Sequence, residues 1–281
     1  MPTYSTPQPI DLAVHVPVGD LRVVASDRTD TVVTVAPSNP AKADDRRAVE
    51  ETKVDFDGRR LTVLGPRPRL SWIGPGPNDS VDVVVELPAG SRVTAELSVG
   101  NVQSVGRLGA TRAKSSSVQL DTTGDLWVRA MHGVVDVERV EGTAEITADH
   151  GRVRLGTVRG DAVIKASHGA VQVEESGGDL EAKLSYGDLD VDRALGSVTA
   201  KTAYGSVRVA EVSSGSVQVE SGYGQVAVGV RRGVAAWLDL SSKDGRVRNQ
   251  LDGQAAPAEG ERTVAVRART RSGDITVQHA R

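Results

Sequence analysis

Five glycines, Gly133, Gly151, Gly169, Gly187 and Gly205, stand 18 residues apart. A second series, Gly124, Gly142, Gly160, Gly178 and Gly196, repeats the same step nine residues out of phase, and Gly215 and Gly224 keep the spacing of nine. Each glycine opens the pattern Gly-x-Φ-x-Φ, where Φ is apolar. Examples are Gly151-Arg152-Val153-Arg154-Leu155, Gly169-Ala170-Val171-Gln172-Val173 and Gly205-Ser206-Val207-Arg208-Val209. Alternation at period two sets the apolar residues on one face of a strand, and glycine is read as the positive-φ turn before each strand. A strand and turn of nine residues cannot bury its apolar face alone, whereas stacked copies can, so the short fixed period predicts a solenoid. Two such units make one coil of 18 residues, with the chain running up two opposed parallel sheets. A repeat of six would instead mean a three-sided coil.

The composition agrees with a thin interior. The 281 residues include 45 valines, while aromatics make up 3% and Phe56 is the single phenylalanine. Valine favours strands. One sheet is expected to point Val and Leu inward (Val135, Val137, Val153, Leu155, Val171, Val173) and the other smaller residues (Ala144, Ala162, Ala182, Ala200). There are no cysteines, which excludes disulfides, thiolate metal sites and a cysteine nucleophile. With 34 Lys+Arg against 37 Asp+Glu the net charge is -3, which disfavours nucleic acid as a partner. The N-terminus shows no basic stretch followed by an apolar run, and no apolar run approaches the ~20 residues of a membrane span. The expectation is a cytoplasmic protein.

Eleven of the 12 prolines lie at or before Pro88, and none falls between residues 89 and 256. This divides the chain into 1–97, a β-rich N-terminal cap continuous with the rod, and 98–281, the repeat region. In the first part strands are expected at Leu12–Val16, Leu21–Ala25, Thr31–Ala36, Thr52–Phe56, Arg60–Leu64, Val81–Leu87 and Arg92–Leu97. The stretch Lys42–Glu51 admits a helix, but it is short and charge-rich and reads as a loop or single turn. An open solenoid end would expose strand edges, which is why terminal repeats are atypical. Near the C-terminus Gly245 and Gly273 are 28 apart, one coil of 18 plus an insertion around Leu251–Arg262. The fold class is thus all-β: a parallel β-solenoid, β-helix or β-roll-like, of about 18 residues per coil.

Several segments also resemble a known family: Leu87-Pro88-Ala89-Gly90-Ser91, Ala200-Lys201-Thr202-Ala203, Gly233-Val234-Ala235-Ala236-Trp237-Leu238-Asp239-Leu240 and Gly245-Arg246-Val247-Arg248-Asn249. Together with the serial glycine units they look like the bacterial "putative adhesin" β-strand-repeat family, a domain family of unknown function. The resemblance runs from about Ile10 to near the end of the chain. It implies a right-handed single-chain β-helix and, for Trp237, a place in a C-terminal motif, where it is expected to plug the core. It carries over no catalytic residue.

The residue before each glycine of the first series reads His132, His150, His168, Tyr186, Tyr204 and, one residue out of step, Tyr223. In a solenoid these align in one column along an edge, ~5 Å apart. A stacked structural ladder, a contact strip for an extended ligand such as a glycan, and a metal held by imidazoles are the three readings. The last lacks a carboxylate to complete a shell. The loop Gly65–Ser80 sets Arg67 and Arg69 beside Trp72 and Ile73, a tip that either folds back on the solenoid or touches a partner or membrane surface. Trp127, at an outward position, is a further contact candidate.

Catalytic signals are poor. The outward column Asp136, Arg154, Gln172, Asp190, Arg208 mixes charges, no carboxylate pair repeats, and no phosphate-binding loop opens a helix. No cofactor and no metal is expected. The expected function is that of a non-catalytic scaffold binding a protein partner along an extended face. A self-assembling filament and a carbohydrate-binding or carbohydrate-active β-helix are the alternatives.

Overall fold

The computed structural model describes residues 2–66, 70–71, 74–75, 79–251 and 263–280. They fall into two compact units, Met1–Glu138 and Arg139–Arg281.

The first unit contains β1 (Thr3–Ser5), β2 (Asp11–Val18), β3 (Leu21–Ser26), β4 (Asp30–Pro37), α1 (Ala43–Glu51), β5 (Lys53–Phe56), β6 (Arg60–Leu64) and the two-residue strands β7 (Leu70–Ser71) and β8 (Gly74–Pro75). It continues with β9 (Val81–Pro88), β10 (Arg92–Val99), β11 (Asn101–Val105), β12 (Thr111–Ser115), β13 (Ser117–Thr123) and β14 (Leu126–His132); the division between the units falls within β15 (Val135–Val140). One sheet runs β1-β4-β9-β3-β11-β13 and the other β14-β12-β10-β2-β6-β5. All seven expected strands are present, with ends moved by up to two residues.

The second unit contains β16 (Ala144–His150), β17 (Val153–Val158), β18 (Ala162–His168), β19 (Val171–Ser176), β20 (Leu180–Tyr186), β21 (Leu189–Ala194) and β22 (Val198–Tyr204). It ends with β23 (Val207–Val212), β24 (Gly215–Tyr223), β25 (Val226–Val230), β26 (Ala235–Asp244), β27 (Val247–Gln250), β28 (Thr263–Ser272) and β29 (Ile275–His279). One sheet runs β16-β18-β20-β22-β24-β28-β26 and the other β17-β19-β21-β23-β25-β29-β27. The pairing is parallel with a step of one coil: Ile146↔Ile164↔Ala182↔Ala200 in the first, Val153↔Val171↔Leu189↔Val207 in the second. This is the β-solenoid that the glycine spacing predicts.

The alanines named above are buried, but they do not form a uniformly small face. β18 points Ala162, Ile164 and Ala166 inward, and the next rung, β20, points Leu180, Ala182 and Leu184. Small-large-small stacks on large-small-large, so adjacent rungs fill each other's gaps.

The two glycine series work differently. Gly169 and Gly187 have φ of 124° and 147°, the expected left-handed turn. In the second series Gly178 is not in that region; a Cβ there would sit 2.7 Å from the carbonyl carbon of Gly160, so glycine is required by the closeness of the rung below.

Chain order and stacking order part company in both units. In the first, β2 lies between β6 and β10, and β3 between β9 and β11. In the second, β28 pairs with β24 on one side and β26 on the other, and β29 with β25 and β27. The last strands in sequence are therefore inserted beneath the β26–β27 rung, which corrects the expectation of a simple loop insertion in a sequential stack; residues 252–262 of that insertion lie outside the described residues. The inner side chains explain the order. Val264, Val266, Ala268, Ile275 and Val277 are fully buried, whereas β27 sets Asn249 opposite Val277 and suits the outer place.

Lys42–Glu51 is also corrected: Ala43–Glu51 is an α-helix. Nine charge-rich residues would not hold a helix alone. Here Asp44 and Asp45 complement the N-terminal dipole, and the Thr52 N–H donates to Ala48 O at 3.0 Å. Buried Asp45 accepts from the Asn39 N–H at 3.0 Å and the Ser80 N–H at 3.2 Å. Asp45→Ala removes both acceptors and is expected to cost about 1–3 kcal/mol, read as a lower urea midpoint at unchanged slope. At the end of the sheets that this helix flanks, Tyr4 of β1 meets Phe56 of β5 at 5.0 Å between ring centres, and Leu61, Val63, Val33 and Val81 are fully buried.

Candidate functional site

The residue preceding each turn glycine ends a strand and points off the sheet edge. Its carbonyl accepts from the glycine N–H of the preceding rung: Gly151 donates to His168, Gly169 to Tyr186, Gly187 to Tyr204 and Gly205 to Tyr223, at 2.8–3.0 Å. The backbone ladder thereby fixes the height of each ring. His150, His168, Tyr186, Tyr204 and Tyr223 form one straight stack, with centroids 4.8–5.0 Å apart and planes within 6° of parallel. In the spatial order of the rungs the column continues as Ser272 and Asp244. His132, at the end of β14, belongs to the first unit.

Parallel stacking occupies the ring faces with neighbouring rings. What the column offers outward is ring edges and the tyrosine hydroxyls, with Tyr186, Tyr204 and Tyr223 exposed by 50%, 48% and 45%. On the same outer face lies a column not singled out from the sequence. Lys165, Lys183 and Lys201 pair rung on rung at the same step of 18 that marks the glycines, which is the signal that finds them. Small residues, Ser167, Ser185 and Ala203, separate the two columns. Lys183 donates to Glu181 at 2.5 Å and Lys201 to Glu220 at 3.0 Å. Lys183 first, then Lys165 and Lys201 by charge alone, hold the Glu181 carboxyl below its ordinary range.

The other sheet of this unit carries a concavity of about 570 Å³, edged by Glu174, Glu175, Asp192, Arg193, Arg208 and Glu211 and floored by Ala210, Ala227 and Gly229. Its carboxylates are held by arginines. Arg154 reaches Glu174 at 2.5 Å, Arg193 sits between Glu175 at 3.3 Å and Glu211 at 4.0 Å, and Arg208 between Asp190 at 2.7 Å and Asp192 at 3.5 Å. Among the described residues no group of three or more His, Asp or Glu is gathered to hold a metal. No helix among them is long and apolar enough to cross a membrane, which says nothing of membrane-crossing strands.

The remaining candidates separate. Trp127 is half-buried on β14, with the guanidinium carbon of Arg112 from the adjacent rung 3.9 Å over its ring. Arg67, Arg69, Trp72 and Ile73 lie outside the described residues. Trp237 does not plug the core. It is 58% exposed, because its register partner is outward Ala265, while its neighbours Ala236 and Leu238 pair with the buried Val264 and Val266.

A family model, Toastrack DUF4097, matches residues 10–278. The chain belongs to this family. The parallel rungs described above are consistent with a Toastrack β-solenoid. No curated protein matches the chain. Solved structures similar to this Toastrack chain include one described as a putative adhesin from Bacteroides fragilis, 12% identical over 98% of this chain and 95% of that one, TM-score 0.39. Another, from Parabacteroides distasonis and described in the same words, is 11% identical over 98% and 95%, TM-score 0.41. A third, described as a putative cell adhesion protein from Clostridium sporogenes, is 12% identical over 99% and 98%, TM-score 0.23.

Proposed function

We propose that this protein is a non-catalytic interaction module that takes a protein partner along the ring and lysine columns of its second unit. The observation that carries this reading is the row of three tyrosines, each about half exposed and held at fixed height by the turn ladder. Tyrosine is enriched at protein contacts because it adds area and a hydroxyl at little entropic cost. The lane of small side chains between the columns leaves room for an extended segment, and the lysines offer it donors. A sugar-stacking strip needs a row of free ring faces, and here both faces of His168, Tyr186 and Tyr204 lie against neighbouring rings. The carboxylates of the opposite concavity are ion-paired, which disfavours the pair of free acid and base groups that glycoside cleavage requires.

The test is capture of partners from native lysate by the wild-type chain and by a Tyr186→Ser, Tyr204→Ser, Tyr223→Ser variant. Loss of several buried tyrosine contacts should weaken the bound species at least about tenfold, with the urea midpoint of the variant measured alongside. An identical captured set from both proteins, or recovery of a glycan with no protein, would overturn the reading.

A further inference from the structure

The β26–β27 rung ends both sheets of the second unit among the described residues. β26 is ten residues long and, among the described residues, pairs on one side only, with β28. Leu238 and Leu240 are half-buried, although the residues they pair with, Val266 and Ala268, are fully buried. Val247 is 45% exposed above fully buried Ile275. A long strand edge that no other described strand pairs, beside a half-exposed apolar interior, is a template for pairing. The first unit shows the contrast. Its sheets end on β1 and β5, of three and four residues, both added antiparallel, with the Tyr4–Phe56 contact between them.

We infer that the edge of β26 pairs antiparallel with β26 of a second copy of this chain, forming a closed two-fold dimer. The strand's own sequence supports this occupant. With the axis at Leu240, the two Leu240 side chains meet, Asp239 lies opposite Ser241, and Trp237 of each copy comes opposite Lys243 of the other. An ammonium over an indole ring is favourable, and Asp239 is diagonal to Lys243 across the pair, within reach of an ion pair. No like charges face each other directly along the strand. Isologous pairing uses up the open edge on both copies, so assembly stops at two. The blunted strands β1 and β5 offer no matching edge for a head-to-tail filament. This inference is independent of the partner strip, which lies on an outer face and not on the strand edge.

The experiment is sedimentation velocity of the full chain over a concentration series, with Lys243→Glu and Trp237→Ser beside the wild type. Both positions are exposed, so the fold should be retained, as circular dichroism will check. The wild type is expected at twice the 29.5 kDa chain mass, and each variant should raise the dimer dissociation constant at least about tenfold, roughly 1.4 kcal/mol. The absence of native cysteine allows a test of register. Leu240→Cys should cross-link to its counterpart on oxidation, and Lys243→Cys should not, since only the first lies at the axis within disulfide reach. A monomer at every concentration, a dimer indifferent to both variants, mass growing beyond two copies, or cross-linking at Lys243→Cys but not at Leu240→Cys would each overturn the inference.

Discussion

Gly187→Ala should lower the urea midpoint by the equivalent of about 3–5 kcal/mol. Two costs coincide there. The backbone φ is 147°, a region that residues with a Cβ rarely adopt, and the added methyl would overlap the carbonyl oxygen of Gly169 on the rung below. That oxygen belongs to the backbone ladder, so no flexible side chain can give way. Two other glycines separate the contributions. Gly58 has φ of 96°, and a methyl added there would meet nothing within 4 Å, so Gly58→Ala should cost only the conformational strain, about 1–2 kcal/mol. Gly178 lacks the positive φ but meets the Gly160 carbonyl carbon at 2.7 Å, so Gly178→Ala should show the steric cost alone, about 1–3 kcal/mol. If Gly187→Ala proved no worse than Gly58→Ala, the close rung-to-rung approach at the turns would be wrong.

Ile164→Ala should cost about 2–5 kcal/mol. Ile164 is fully buried and is the one large side chain among the three that β18 points inward. Its column neighbours are Ile146 on one side and Ala182 on the other. Truncation would leave three alanines in the rung next to an alanine, and a backbone ladder pinned at every turn cannot collapse into the space. The fall should appear in the urea midpoint at unchanged slope. A loss below about 1 kcal/mol, the size of a mere methyl deletion, would mean that the rungs relax independently.

The parallel register of the second unit was legible because an 18-residue step leaves each rung's neighbours fixed by arithmetic. The stack from His150 to Tyr204 follows from the same step, and Tyr223 joins it one residue later. The Lys165–Lys183–Lys201 column follows from that step as well. What could not be read is the placement of β28. A gap of 28 residues between Gly245 and Gly273 fits either a sequential or an inserted rung, and only the burial of Val264 and Val266 against the half-exposed Leu238 and Leu240 decides between them. The exposure of Trp237 has the same origin, since β26 is the outermost described rung and Trp237 lies on its outward face. The helix at Ala43–Glu51 was underweighted because part of its anchor, the Ser80 N–H donating to Asp45, comes from 35 residues away and leaves no local sequence sign.

The inserted rung also bears on how the chain is made. A ribosome delivers β26 and β27 before β28 and β29, yet their neighbours in the finished stack arrive last. Until residues 263–279 emerge, the penultimate rung must wait unseated or dock in the wrong slot on β24 and β25. A nascent polypeptide halted at Gln250 would therefore lack the layer that seats β26 and β27, and emergence of β28 and β29 becomes the step that seals the stack.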